Sequence, residues 1–427
     1  MSPAKEQTWF GQPRGLTILF LTNMWEQFSY YGMRALLIYY MTKQLLLSQG
    51  SASFIYGAYT ACAYFTPILG GAIADRWLGR RRAVIIGASI MAAGHFMMAF
   101  ETLFYAALAT IALGNGLFLP SLPSQVGDLY SARDPRRGWA YNVYYVGINV
   151  GGFLAPLICG TLGEVYGWHY GFGAAGIGML LGLVIYLTGQ RHLPPEPPRH
   201  AAPVEGAARW GDHRHVFALL LGVGLAVTVF RGAYEQVGNT VALWADAGID
   251  RSLGGWTIPM TWFQSLNPLM VMVMTPPMLA AWSRQAQRGT ERSALRKMSV
   301  GAAIVAVAYL LLALFDWLAG DGLAHWGALA IFFLVLTIGE LYILPTGLGL
   351  FARLAPVRLR ATTVAAWFLA IFGGSLFAGT VGGLWSRMAT DRYFILLAVI
   401  ALAAAGLLRL LDVPAREVEA AQAAEAD

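Results

Sequence analysis

Charge is scarce in this chain. Asp, Glu, Lys and Arg together make up 12% of its 427 residues, whereas a soluble protein carries about 25%. Cysteine is also rare, with two copies at Cys62 and Cys159, and no Cys or His spacing typical of a metal site is present. These shortages exclude a soluble enzyme and a disordered chain, and they predict neither disulfides nor a bound metal.

Hydrophobic residues are abundant instead, at 57% of the chain. A helix that crosses a membrane needs about 20 mostly apolar residues. Twelve segments meet this length, at 16–43, 52–75, 83–102, 104–130, 139–163, 170–190, 216–245, 255–282, 298–319, 325–352, 361–386 and 393–412. The sequence therefore predicts an all-α membrane protein with twelve transmembrane helices.

Positive charge is distributed unevenly among the gaps between these segments. The gaps after spans 2, 4, 8 and 10 hold fifteen Lys and Arg residues, whereas the opposite gaps hold Lys43, Arg251, Arg387 and Arg392. The positive-inside rule places the richer gaps, and with them both termini, in the cytoplasm. This pattern accounts for the net charge of +6 without a nucleic-acid partner, which would need basic residues clustered on a soluble face.

A proline-rich segment divides the spans into two sets of six. It covers residues 191–215, contains five prolines and is too short to hold two further spans. We therefore expect an N-terminal six-helix bundle in 1–190, a cytoplasmic linker in 191–215, a C-terminal bundle in 216–412 and a cytoplasmic tail in 413–427. Two halves that rock about a midplane site are a common plan for secondary transporters.

Span 1 carries a stripe of polar residues on one helical face, formed by Asn23, Glu26, Gln27, Tyr30 and Arg34. Charge inside a membrane span is expensive, so such residues usually serve a function. The stripe favours a polar cavity over the alternative, in which Glu26 and Arg34 are neutralised inside the bundle and only hold helices together.

Further polar residues occur in the second half and in span 3. Arg231, Glu235 and Asn239 follow one face of span 7, where the first two can pair along the helix. That pair is either structural or opens when a ligand or proton arrives. Glu340 is a lone carboxylate in span 10, a setting that suits a proton carrier. His95 in span 3 is interpreted as a satisfied packing residue.

Several motifs are recognisable. The segment GGAIADRWLGRR at 70–81 resembles the signature loop of the major facilitator superfamily. Four further stretches are similar to motifs of the proton-dependent oligopeptide transporter (POT) family: FSYYGMR at 28–34, YVGINVG at 145–151, WFQSLNP at 262–268 and GELY at 339–342, with Glu235-Gln236 between the second and third. The resemblance extends in order from about residue 16 to residue 412, and it implies a major facilitator fold of two pseudo-symmetric six-helix halves.

The resemblance also implies roles for individual residues. Tyr30, Tyr31, Arg34 and Tyr64 would line the N-terminal half of a peptide pocket, Asn149 and Asn267 would bind the peptide backbone or amino end, Glu340 would attract the ammonium group and Trp367 would wall a side-chain pocket. Glu26, Glu235 and Glu340 would take part in proton coupling. Asp75, Arg76 and Arg80 would form a charge clamp that closes the cytoplasmic side.

Departures from the family pattern are concentrated among charged positions. The Glu-x-x-Glu-Arg motif of span 1 is altered at Asn23 and Gln27, and the lysine expected before Pro120 is replaced by Leu119. Arg231 stands where an aromatic residue is expected and adds a cation next to Glu235. We expect peptides with a free carboxylate to bind poorly unless Arg34 and Arg231 replace the lost anchor. We expect proton coupling to be weakened, or to be carried by Glu235 and Glu340 alone.

The sequence therefore predicts a secondary active transporter of peptides or peptide-like small molecules that works by alternating access, with altered proton coupling. Two alternatives remain: a specialised carrier or exporter of a modified peptide or natural product, and a transporter-like protein that acts as a sensor. No enzymatic activity, cofactor or metal is expected, because no nucleophile–base pair or metal cluster is present. The predicted partners are the substrate, protons and the lipid bilayer of the inner membrane, and the predicted state is a monomer.

Overall fold

Long helices dominate the computed structural model, which describes residues 8–9, 11–131, 134, 136–196, 214–290, 292–354 and 360–418. Twelve helices of eighteen residues or more occur in these ranges. They are α1 (Arg14–Tyr39), α2 (Gln49–Ile73), α3 (Arg80–Met97), α4 (Phe104–Asp128), α5 (Arg136–Ala155), α6 (Trp168–Gly189), α7 (Arg214–Tyr234), α9 (Leu266–Gln287), α10 (Ala294–Ala319), α11 (Gly327–Leu354), α12 (Arg360–Gly382) and α13 (Thr390–Leu410), with a short α8 (Thr240–Ala247) after α7. Each of the twelve predicted spans corresponds to one long helix.

Eight helical segments of the described residues are long and apolar enough to cross a membrane by length and composition. The other four long helices are α1, α2, α3 and α9. Helix α1 is less apolar than these eight segments because it carries the polar stripe identified in the sequence. A helix with such a stripe must bury it against other helices, which is why the stripe indicates function and not a lipid-facing surface.

Short strands occur only in connecting segments of the described chain. They are β1 (Thr8–Trp9), β2 (Gln12–Pro13), β3 (Ile249–Asp250), β4 (Ser252–Leu253), β5 (Trp256–Thr257) and β6 (Ala324–His325). The pairs β1–β2 and β4–β5 are antiparallel and β3–β6 is parallel. Because β5 and a 3-10 turn at Met260–Ser265 precede α9, this helix begins at Leu266 and not near residue 255 as the apolar run suggested.

The chain forms two compact units. The first comprises Met1–Leu45 and Cys62–Ala201, and the second comprises Leu46–Ala61 and Ala202–Asp427. A cluster of buried apolar side chains on α1, α3, α4, α5 and α6, including Leu19, Met91, Phe118 and Met179, forms a core of the first unit. In contrast to the sequence-based division, the first half of α2 lies in the second unit, where Gly57 and Gly379 allow α2 and α12 to approach closely.

The regular α-helix is interrupted after α7 in the second unit. Helix α7 ends at Tyr234, a 3-10 turn covers Glu235–Gly238, and Asn239 has φ −114° and ψ −95° before α8 begins. Most of the predicted linker, at 197–213, and the end of the predicted tail, at 419–427, lie outside the described residues. Residues 413–418 of that tail are helical.

Candidate functional site

The polar stripe of α1 is buried in the first unit. The Glu26 side chain is 1% exposed and Asn23 is 2% exposed. Gln27 Nε2 donates to Glu26 Oε2 at 2.7 Å, and Asn23 Nδ2 donates to the carbonyl of Tyr144 at 3.2 Å. The two amides at Asn23 and Gln27 therefore act as uncharged hydrogen-bond donors, Asn23 to a backbone carbonyl and Gln27 to the Glu26 carboxyl group.

Tyr144 on α5 belongs to this cluster and was missed in the sequence. Its phenol is buried and lies close enough to Glu26 for the two side chains to interact electrostatically. Helices α1 and α5 can approach because Gly151 has no side chain: a Cβ there would lie 2.2 Å from the carbonyl oxygen of Met24. The available signal was the position of Tyr144, directly before the YVGINVG motif.

The other predicted residues of the first unit lie on the same or neighbouring helices. Tyr30 and Tyr31 pack edge to face, with ring centroids 5.4 Å apart, and Arg34 is half-buried on the following turn of α1. Tyr64 on α2 is half-buried as well. Asn149 on α5 is buried, and its Nδ2 donates to the carbonyl of Tyr145 in its own helix at 3.1 Å.

Leu119 occupies a half-buried position on α4, directly before Pro120. This is the position at which the sequence resemblance implies a lysine. A leucine here removes a cation from the first unit, in keeping with the replacement of charges at Asn23 and Gln27.

In the second unit, Arg231 and Glu235 form a buried ion pair across one helical turn. Their side chains are 4% and 2% exposed, and the Arg231 guanidinium also lies over the ring of Tyr234, 5.3 Å from its centroid. The pairing predicted from their spacing is therefore present. Because Arg231 is enclosed with this carboxylate, it does not offer an exposed anchor for a substrate carboxylate in this state.

A second acidic group of the same unit lies on α11. Asn267 Nδ2 donates to Glu340 Oε2 at 2.6 Å and to Thr337 Oγ1 at 3.1 Å, and the Tyr234 hydroxyl is also within hydrogen-bonding reach of Glu340. Arg231 and Glu235 are near enough to act on Glu340 electrostatically. The structure thus brings Arg231, Glu235, Asn267 and Glu340 together in the second unit, and their roles in binding and coupling stay predictions.

Trp367 on α12 fills space inside the second unit. It is 4% exposed and packs edge to face on Phe351, with centroids 5.3 Å apart. A Cβ on Gly347 would lie 2.2 Å from the Trp367 ring, so the glycine makes room for it. The Trp367 ring is therefore packed among its neighbours, and an open side-chain pocket at this residue stays a prediction.

An arginine of the signature loop forms an ion pair with an acid outside the loop. Asp75 and Arg76 are exposed, whereas Arg80 Nη1 lies 2.9 Å from Asp128 Oδ2 at the end of α4. Asp128 is therefore the acid that pairs with Arg80. The clamp role of Asp75, Arg76 and Arg80 stays a prediction.

The chemistry available to these groups is binding and proton exchange. In the part of the chain that the structure describes, no group of three or more His, Cys, Asp or Glu residues is placed to hold a metal ion. What the two units offer are buried carboxylates with amide and hydroxyl donors, together with one buried guanidinium. Such groups can bind an ammonium group or amide and can accept a proton.

Comparison with known proteins identifies the family. A sequence model described as POT family matches residues 81–210 and 211–400, and one described as nucleoside H+ symporter matches residues 16–140. The chain is 32% identical to the peptide transporter YePEPT of Yersinia enterocolitica over 459 residues, covering 88% of this chain and 89% of the relative. It is also 31% identical to a di-/tripeptide transporter of Lactococcus lactis subsp. cremoris, covering 86% and 88%.

Solved structures agree with this assignment. The crystal structure of a peptide transporter POT in complex with sulfate has a TM-score of 0.88 at 28% identity and covers 97% of each chain. A POT family transporter in complex with 5-aminolevulinic acid has a TM-score of 0.87 at 25% identity, covering 96% of this chain and 98% of that one. The predicted major facilitator fold is therefore confirmed. From its sequence motifs, its matched family model and its relatives over most of its length, the chain belongs to the POT family of membrane transporters.

Proposed function

We propose that this protein transports peptides or peptide-like small molecules across the inner membrane by alternating access, coupled to protons through its buried acids. The observation that carries the proposal is the group around Glu340 in the second unit. This carboxylate is buried, accepts a hydrogen bond from Asn267 at 2.6 Å and has Tyr234 within reach. A buried carboxylate whose hydrogen-bond donors are neutral is suited to an incoming ammonium group, which would place a cation in direct contact with it.

The relatives support the same class of substrate. One is named a peptide transporter and another a di-/tripeptide transporter, and a structural neighbour binds 5-aminolevulinic acid, a small amino compound. In the family, Tyr30, Tyr31, Arg34, Tyr64 and Asn149 would contribute substrate contacts from the first unit. We expect the two units to act as the moving halves, with both termini in the cytoplasm, and the protein to work as a monomer.

Among the steps of the proposed transport, proton coupling is the one most affected by the positions at which this chain departs from the family motifs. The Glu26 carboxyl group accepts a hydrogen bond from Gln27, and Glu235 forms an ion pair with Arg231. Proton binding at Glu235 would have to compete with the arginine, whereas Glu26 and Glu340 have neutral hydrogen-bond donors. We therefore propose that coupling is retained but rests chiefly on Glu26 and Glu340.

The decisive measurement is uptake of a labelled dipeptide by liposomes that contain the purified protein, with and without an inward proton gradient. We expect concentrative uptake with the gradient, and loss of most of it in Glu340→Gln. An N-acetylated dipeptide, which lacks the ammonium group, should compete weakly. Glu101→Gln is the matched control, because this glutamate is exposed and bonded to Gln44. Equal uptake by the Glu340→Gln and wild-type proteins would contradict the proposed role of Glu340.

A further inference from the structure

A cavity opens at the end of the first unit where α1 begins and where α4 and α6 end. Its volume is about 730 Å³, within the range of about 300–1,000 Å³ that is typical of small-molecule sites. All of its lining residues belong to the first unit. None of the residues to which transport is assigned above lines this cavity, so a ligand bound here would serve another purpose.

The lining of the cavity is basic. Arg14, Arg191 and His192 line it, and no acidic side chain is among its described lining residues. Arg191 Nε donates to His192 Nε2 at 3.3 Å, so these two side chains lie together on one wall. The acid that follows them in the chain, Glu196, accepts a hydrogen bond from the backbone N–H of Arg81 at 2.5 Å. Such a lining favours an anionic ligand, and arginine is well suited to phosphate because it donates two parallel hydrogen bonds.

Contacts between the helix ends hold the walls of this cavity in place. A Cβ on Gly15 would lie 2.5 Å from the Leu129 side chain and 2.8 Å from the carbonyl oxygen of His192, so α1 packs closely on both. Arg81 Nη2 donates to the carbonyl of Leu193 at 2.9 Å. The walls are therefore preformed, and a ligand would bind without first having to order them.

An exposed apolar row on α6 leads away from the cavity. Its members are Ile177, Leu181, Val184 and Leu187, which are 40–55% exposed. Their spacing of three or four residues places them on one helical face. Arg191 follows at the same spacing, in the 3-10 turn after the helix. Because this helical segment is apolar enough to span a membrane, its exposed face is suited to an acyl chain, with a basic group at the end of the row.

The position and the lining together favour one class of ligand. From the charge distribution of the sequence, we expect this end of the first unit to lie on the cytoplasmic side, where basic pockets between helices bind anionic lipid head groups. A soluble phosphate compound would contact the basic wall but not the apolar row. A zwitterionic lipid would bring its ammonium group close to the arginines. An anionic phospholipid fits both the basic wall and the apolar row.

We propose that this cavity binds the phosphate group of one anionic phospholipid, with Arg14 and Arg191 on the phosphate and an acyl chain along the apolar row of α6. The site is independent of the proposed transport function. Because Arg191 and His192 begin the predicted linker between the two halves, the bound lipid would fasten the start of this linker to the membrane surface.

Lipid titration of the purified protein in detergent tests the site. Short-chain phosphatidylglycerol would be added, and the bound lipid would be counted by mass spectrometry of the intact protein. We expect one tightly bound phosphatidylglycerol per protein. Combining Arg14→Gln with Arg191→Gln should lower its affinity about tenfold, because hydrogen bonds from charged donors to the phosphate are lost.

The matched control combines Arg284→Gln with Arg288→Gln. Both arginines are exposed at the end of α9 in the second unit, and the change in net charge is the same. This variant should bind phosphatidylglycerol as the wild-type protein does. Equal losses of affinity in the two double variants would overturn the proposal, because binding would then follow net charge and not the cavity.

Two further comparisons separate a lipid from a soluble phosphate compound. Leu187→Gln should weaken phosphatidylglycerol binding, whereas Leu402→Gln, at a similarly exposed leucine of α13, should not. Inorganic phosphate at the concentration of the lipid should fail to displace it, and phosphatidylethanolamine should bind more weakly. Displacement by inorganic phosphate, or equal binding of phosphatidylethanolamine, would overturn the assignment to an anionic lipid. None of these measurements requires uptake, so their failure is distinguishable from a failure of the transport proposal.

Discussion

Arg231 and Glu235 form an ion pair that is buried within the second unit, on the turn where α7 gives way to a 3-10 segment. The pair explains how the chain tolerates an arginine where its family has an aromatic residue. A buried cation without an acid would be costly, and a buried acid without a cation likewise. The added arginine therefore changes the behaviour of Glu235 more than it changes the substrate surface.

Substitution of one partner should destabilise the protein more than substitution of both. We expect Glu235→Gln and Arg231→Met each to lower the free energy of unfolding by about 3–5 kcal/mol, because each leaves a buried charge without the partner shown here. The double variant should recover most of that loss. Thermal unfolding of the purified proteins in detergent measures it, and losses that simply add in the double variant would show that the pair is not coupled.

Restoring the family's lysine should strengthen binding of peptides with a free carboxylate. Leu119→Lys places a cation on α4 at a half-buried position. We expect dipeptide affinity to rise about tenfold, which corresponds to about 1.4 kcal/mol, while affinity for the matching dipeptide amide stays the same. Competition uptake assays with both ligands provide the measurement.

The control for this variant is Leu117→Lys, which adds the same charge two residues earlier on another face of α4. It should leave both affinities unchanged. An equal gain from Leu117→Lys, or an equal gain for the amide, would mean that the lysine acts through net charge and not through the substrate carboxylate.

Sequence reasoning located the spans and the buried acids because both depend on local patterns. Arg231 and Glu235 pair across one turn, so their spacing alone predicted the contact. Tyr144 was missed because its role depends on the approach of α5 to α1, and the hydrogen bond from Ser53 to Asn239 was missed because the two residues are 186 positions apart. Likewise, nothing local indicated that the first half of α2 packs with the second unit.

A glycine of the signature loop region has a structural role that can be tested. A Cβ on Gly70 would lie 2.1 Å from the carbonyl oxygen of Gly116, so α2 and α4 are in backbone contact there. Gly70→Ala should force the helices apart and destabilise the protein by about 1–3 kcal/mol, as overpacking does. Gly173→Ala on α6, where a Cβ meets nothing within 4 Å, should be neutral or stabilising. Melting temperatures of both variants in detergent decide the point, and equal values would contradict the backbone contact.

His95 is a buried packing residue, as expected, but the expected hydrogen bonds of its ring are not found among the described residues. Its ring is completely buried in α3, and neither ring nitrogen has a hydrogen-bond partner among the described residues. Burying such a polar group without a partner costs about 1–3 kcal/mol, so His95→Leu, which keeps a similar volume, should stabilise the protein by an amount in that range. His169→Leu, at an exposed histidine beside Tyr170, should change stability little. If His95→Leu instead lowers the melting temperature while dipeptide uptake is lost, the histidine has a partner in another state of the transport cycle and contributes to function there.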